Sequence, residues 1–163
     1  MSARESTRRV GWQVGKAQLF ESALDLTQAA IRRIDSGGTS AELAVEVEYV
    51  LTKLQEWAND HAAIVEREQP FGLADLSDDV ELRLRDDIAS GQTSRELENA
   101  LAMWQTCDLL LGAYRFYRIT VPVPAVALIR MHMRTQELQA AYLAELPDSV
   151  LAKVQKATRR GST

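Results

Sequence analysis

The 163-residue chain holds 46% hydrophobic and 26% charged residues with a net charge of −4, the composition of one ordinary globular domain rather than a disordered or membrane-spanning chain. Its single cysteine, Cys107, excludes an internal disulfide or a paired-cysteine metal site, suits a reducing compartment and reads as a small buried hydrophobe. Residues 1–34 carry six basic and three acidic side chains, residues 35–108 five and seventeen, and residues 109–163 eight and three. An acidic middle between basic ends can meet partners of either sign, or copies of itself.

Residues 1–11 are polar and basic and read as a flexible arm without the apolar stretch of a secretion signal. The longest apolar run, Ile119 to Ile129, is short and broken by Pro122 and Pro124, so no membrane span is expected and the chain reads as cytoplasmic. A single helical domain is expected over 12–160. Its first helix runs from Trp12 or Gly15 to Asp35, returning Phe20, Ala23, Thr27, Ala30, Ile31 and Ile34 to one face, with Trp12 folded back on the bundle.

A repeated decapeptide organises the next hundred residues. Ile34 to Leu43 and Ile88 to Leu97 share the pattern I-x-S-G-x-T-S-x-E-L, seven identities in ten. Gly37 and Gly91 stop a helix, Thr39 and Thr93 start the next, and Glu42 and Glu96 stand at the capping-box position. Two similar helical hairpins, 12–67 and 73–118, are therefore expected. In the second helix Leu43, Val47, Val50, Leu54, Trp57, His61 and Ile64 form a seam over three heptads, to be covered from within the chain or by another copy.

Pro70 and Gly72 break the chain before a helix striped by Leu76, Val80, Leu84 and Ile88. Its Asp78-Asp79 and Asp86-Asp87 doublets lack the alternating ligands and glycine turn of a calcium loop and read as helix surface. The fourth helix, to about Arg118, carries Leu97, Leu101, Trp104 and Leu111 beside a second line of Ala100, Met103, Cys107, Leu110, Tyr114 and Tyr117. Two lines make it the central helix, with Asp108 at the edge of the stripe bonding Arg115, His61 or Trp12. After the extended Val121-Pro122-Val123-Pro124 come helices over 124–146 and 148–159, the first apolar at its start, the second basic. The expected fold is all-α: four helices in two antiparallel hairpins, then a long fifth and a short sixth helix.

Catalytic signatures are missing. His61 and His132 are the two histidines, neither follows a Glu at the spacing of a bundle di-iron site, and zinc, phosphate-loop, dinucleotide and nucleophile-elbow motifs do not occur. No catalytic residue, cofactor or metal is expected. The stretch that invites a function is Tyr114, Arg115, Phe116, Tyr117 and Arg118, continued by Arg130, His132 and Arg134 and by Lys153, Lys156, Arg159 and Arg160. Tyr and Arg are favoured anchors of protein interfaces. The leading expectation is a non-enzymatic helical subunit or adaptor acting through a protein partner or self-association, by the second-helix seam or the apolar start of the fifth. Basic residues interleaved with aromatics also suit phosphates and stacked bases. The alternative is a small nucleic-acid-associated subunit of a nucleoprotein complex.

Overall fold

The computed structural model describes residues 10–68 and 95–161. Five helices make up this structure: α1 (Val10–Asp35), α2 (Ser40–Glu68), α3 (Arg95–Thr120), α4 (Pro124–Ala144) and α5 (Asp148–Gly161), with no strand among the described residues. The all-helical class stands. The helix expected to carry Leu76, Val80, Leu84 and Ile88, the Gly91 turn and the arm up to position 9 lie outside the described residues.

The α1–α2 connection has the expected chemistry. Gly37 takes a φ of +85°, its N–H donates to Ile34 O at 3.1 Å, and the Gly38 N–H donates to Arg33 O at 2.9 Å. This is the paired closure that satisfies the last carbonyls of a helix through a left-handed glycine. Thr39 then caps α2: the Glu42 N–H donates to Thr39 Oγ1 at 3.2 Å, and that hydroxyl donates to Glu42 Oε1 at 3.1 Å. In the second copy of the decapeptide, Leu97 is buried like Leu43, but the Glu96 carboxylate accepts from Arg67 of α2 at 2.8 Å.

α3 is the central helix, packed along both α2 and α1, while α4 lies against α1 and α5 covers the outer side of α1. One end of the core gathers Phe20, Val50, Leu54, Leu110, Tyr114, Leu128 and Met131. The other is closed by Trp12, Val65, Leu97 and Leu101, so Trp12 does fold back on the bundle. There the Trp12 N–H, in the first turn of α1 where backbone donors look outside the helix for acceptors, donates to the buried Glu98 carboxylate at 2.6 Å. That carboxylate also faces the positive end of α1.

The seam of α2 is covered inside the chain. Leu43, Val47, Val50 and Leu54 are buried as expected, but Trp57, His61 and Ile64 are half-buried and the buried line continues through Ala58, Ala62 and Val65. A straight helix drifts about 20° per heptad from a strict seven-residue repeat, and over three heptads that moves the core line to the next residue. The buried part of the seam is thereby taken up by the chain's own core. Asp108 likewise departs from expectation: it is exposed, and Arg115 donates instead to Gln55 Oε1 of α2 at 2.6 Å. α1 and α3 pack tightly at Gly15, where a Cβ would stand 2.7 Å from Asn99 Oδ1 and 3.0 Å from its carbonyl oxygen.

Candidate functional site

The basic and aromatic stretch of α3 divides by helical geometry. Positions 107, 110, 114 and 117 recur on the face turned to the core, so Tyr114 is fully buried and Tyr117 half-buried, while Arg115, Phe116 and Arg118 are exposed. The Tyr114 hydroxyl donates to Thr135 Oγ1 of α4, whose own proton goes to Met131 O at 2.7 Å. Burial pushes the Tyr114 phenol up to about 12, against the opposing pull of the Thr135 bond. The Tyr114 ring is therefore withheld from stacking. Arg118 pairs with Glu48 at 3.1 Å; together they rim a cavity of about 200 Å³ between the start of α2 and the α3–α4 connection, floored by Ala44, Val47, Val121, Pro122, Pro124 and Ala127.

On α4 the candidate residues separate again. Arg130 and Arg134 are exposed, with Arg134 paired to Glu137 at 3.1 Å. His132 turns toward α1, its Nδ1 lying 2.7 Å from Thr27 Oγ1. Thr27 Oγ1 also lies 2.9 Å from Ala23 O in its own helix, so this contact ties α4 to α1. Lys153 and Lys156 are exposed on α5, apart from the α3 group; the side chains of Arg159 and Arg160 lie outside the described residues. The structure thus brings Arg115 and Arg118 together on the α2-facing edge of α3 and disperses the rest over α4 and α5.

Both histidines are half-buried. Burial lowers the pKa of His61, with Asp60 opposing, and burial lowers that of His132. His61 Nδ1 is buried without a hydrogen-bond partner. Burial, with Asp108 adding to it, pushes the Cys107 thiol up to about 12. Among the described residues no group of three or more His, Cys, Asp or Glu side chains is placed to hold a metal ion, and no helix is long and apolar enough to cross a membrane.

These shifts set a pH dependence. A histidine whose folded pKa lies below its ordinary value of about 6.5 binds fewer protons folded than unfolded, so its stability contribution is present above that value and declines as pH falls through it. Urea midpoints are expected to drop between about pH 7.5 and about pH 5.5, and the double variant His61→Gln/His132→Gln is expected to drop less. Equal slopes in the two proteins would show that the imidazoles are not the groups responsible.

The outer face of α3 and α4 is marked by no motif, yet it carries most of the exposed apolar surface. Nine large apolar side chains are exposed among the described residues, and all but Val45 and Tyr49 fall between Leu109 and Met133. Ile119 is 78% exposed, Phe116 60% and Leu109 51%. The sequence does hold a signal for them: Leu109, Phe116 and Ile119 recur at helical spacing opposite the Cys107–Leu110–Tyr114 line, so α3 is apolar on two faces. Comparison with models of known protein families, with curated proteins and with solved structures finds no match for this chain.

Proposed function

We propose that this chain is a non-enzymatic helical subunit or adaptor, cytoplasmic, that works through protein–protein contacts within a larger or self-associating assembly. The second hairpin, over 73–118, belongs to the same proposal. The observation that carries the function is the concentration of exposed apolar side chains on α3, the 121–123 connection and α4: Leu109, Phe116, Ile119, Val123, Val126, Ile129 and Met133. Single exposed hydrophobic residues are ordinary on a protein surface, whereas clustered ones mark contact sites. Arg115, Arg118, Arg130 and Arg134 are exposed on the same two helices, and apolar residues with arginines are the composition of an interface and its anchors.

Affinity purification from the native host tests this reading. Wild-type protein is expected to bring down a stoichiometric protein, or further copies of itself, and the exposed double substitution Phe116→Asp/Ile119→Asp to lose it by at least about tenfold. Purification of a lone monomer by both proteins would contradict the proposal. A second reading, contact with nucleic acid phosphates within a complex, draws on the exposure of Arg115, Arg118, Arg130, Arg134, Lys153 and Lys156. Under it, the co-purifying material is sensitive to nuclease and to salt.

A further inference from the structure

The outer face of α3 carries two residue pairs placed symmetrically about Gly112. Leu109, Gly112, Phe116 and Ile119 follow one another at three- and four-residue steps, each exposed, so they form one stripe along the side of the helix away from the core. Beside the stripe, on the edge that faces α2, stand Asp108 and Arg115, also exposed. Leu109 and Phe116 are seven residues apart, as are Asp108 and Arg115, and both pairs are centred on the Gly112 region.

Gly112 itself has no internal reason to be glycine. It lies inside a 26-residue helix, two turns from its C-terminal end, and a Cβ built there would meet nothing within 4 Å. Glycine in a helix interior is destabilising relative to alanine, and the packing of the chain does not call for it as it does at Gly15. A backbone stripped of its side chain at the centre of an apolar stripe admits close approach from outside.

We infer that α3 pairs with α3 of a second copy, antiparallel and two-fold symmetric, crossing at Gly112. This rests on the proposed function, a chain that works through protein contacts, and names the partner. An antiparallel pair related by a two-fold axis keeps each side of the stripe facing the same side of its mate. Leu109 of one copy then meets Phe116 of the other, twice, across the two glycines. On the other side Asp108 meets Arg115, also twice. A parallel two-fold pair sets this flank against the opposite flank of the mate, where Asp108 and Arg115 do not meet, so the charge pair favours the antiparallel register. Asp108 makes no ion pair within the described residues, and Arg115 is held by its bond to the neutral Gln55, which leaves both charges available.

The stripe from Asp108 to Ile119 spans only about 17 Å of helix, short of the roughly 800 Å² per partner of a standard interface. The pairing is therefore weak, with a dissociation constant on the order of tens to hundreds of micromolar, as expected for small interfaces.

Sedimentation equilibrium of the full chain from about 10 µM to about 1 mM tests it, with Asp108→Arg and Arg115→Asp as variants. Both positions are exposed, and neither substitution disturbs a buried group. Wild type is expected to show a reversible monomer–dimer equilibrium. Each variant alone turns two attractive contacts into two repulsive ones and is expected to raise the dimer dissociation constant about tenfold. An equimolar mixture of the two pairs a copy with arginine at both positions against a copy with aspartate at both. Every contact then regains opposite charges, and dimerisation returns to within about threefold of wild type. A strict monomer across the range overturns the inference, as does a wild-type dimer indifferent to both variants or a mixture that fails to recover. In any of these cases the proposed adaptor role stands or falls separately, on whether a different protein co-purifies.

Discussion

Replacing Tyr114 with alanine is expected to lower the unfolding free energy by about 3–5 kcal/mol, the range for deleting a buried aromatic side chain. Among the described residues Tyr114 is the largest of the fully buried side chains, and it sits where α3 meets α4. The truncation removes the ring from the core and also strands Thr135 without its donor. Tyr114→Phe separates the two effects. It keeps the ring and loses only the hydroxyl, whose bond to Thr135 contributes about 1 kcal/mol, because Thr135 keeps its own bond to Met131 O. Denaturant titration of the three proteins reads both numbers. A Tyr114→Ala cost below about 1 kcal/mol would mean that α4 is not packed on α3 as described.

The second large effect lies at the opposite end of the bundle. Trp12→Ala is expected to cost about 3–5 kcal/mol, since the indole is buried against Val65, Leu97 and Leu101 where α1, α2 and α3 converge. The hydrogen bond to Glu98 is made by the peptide N–H of Trp12 and survives the substitution, so the measurement isolates side-chain burial. Lys16, whose ammonium lies 5.8 Å from the indole centroid, loses a minor contact of about 0.5–1 kcal/mol at such partly exposed sites. Thermal or urea unfolding reads the loss, and a near-neutral result would place the first turn of α1 outside the cooperative unit.

Helix existence is legible in the sequence because it depends on local chemistry. The Gly37 stop and the Thr39–Glu42 cap are written in side chains that act within a turn of their own position, and Pro124 starts α4 for the same reason. Burial along α2 is half legible. The apolar residues up to Leu54 mark the core line, but the slip from Trp57, His61 and Ile64 to Ala58, Ala62 and Val65 follows from helical drift, which a seven-residue pattern conceals. Alanine gives little signal on a hydrophobicity pattern, so the shifted line does not stand out among residue types.

The candidate surface is harder to read for a different reason. Tyr114 and Tyr117 belong both to a core line of α3 and to a run of basic and aromatic residues, and composition alone does not say which membership governs. The structure gives Tyr114 wholly to the core. Phe116 is left exposed between two arginines, in line with Leu109 and Ile119, which no motif marks. Asp108 is similarly ambiguous: its place at the edge of the α3 stripe makes it an expected partner for Arg115, His61 or Trp12, whereas the turn of α3 carries it to the surface. Surface assignment depends on which of two apolar faces the rest of the chain covers, a tertiary choice between faces of similar hydrophobicity.

The claim that the outer face of α3 is a contact surface is tested most directly by backbone and methyl NMR of the isotopically labelled chain over a rising protein concentration. Shift changes are expected to concentrate at Leu109, Gly112, Phe116 and Ile119 and at the flanking Asp108 and Arg115, leaving the Trp12 end of the core unchanged. Spectra that do not move with concentration, or that move at other surfaces while this stripe stays fixed, would contradict it.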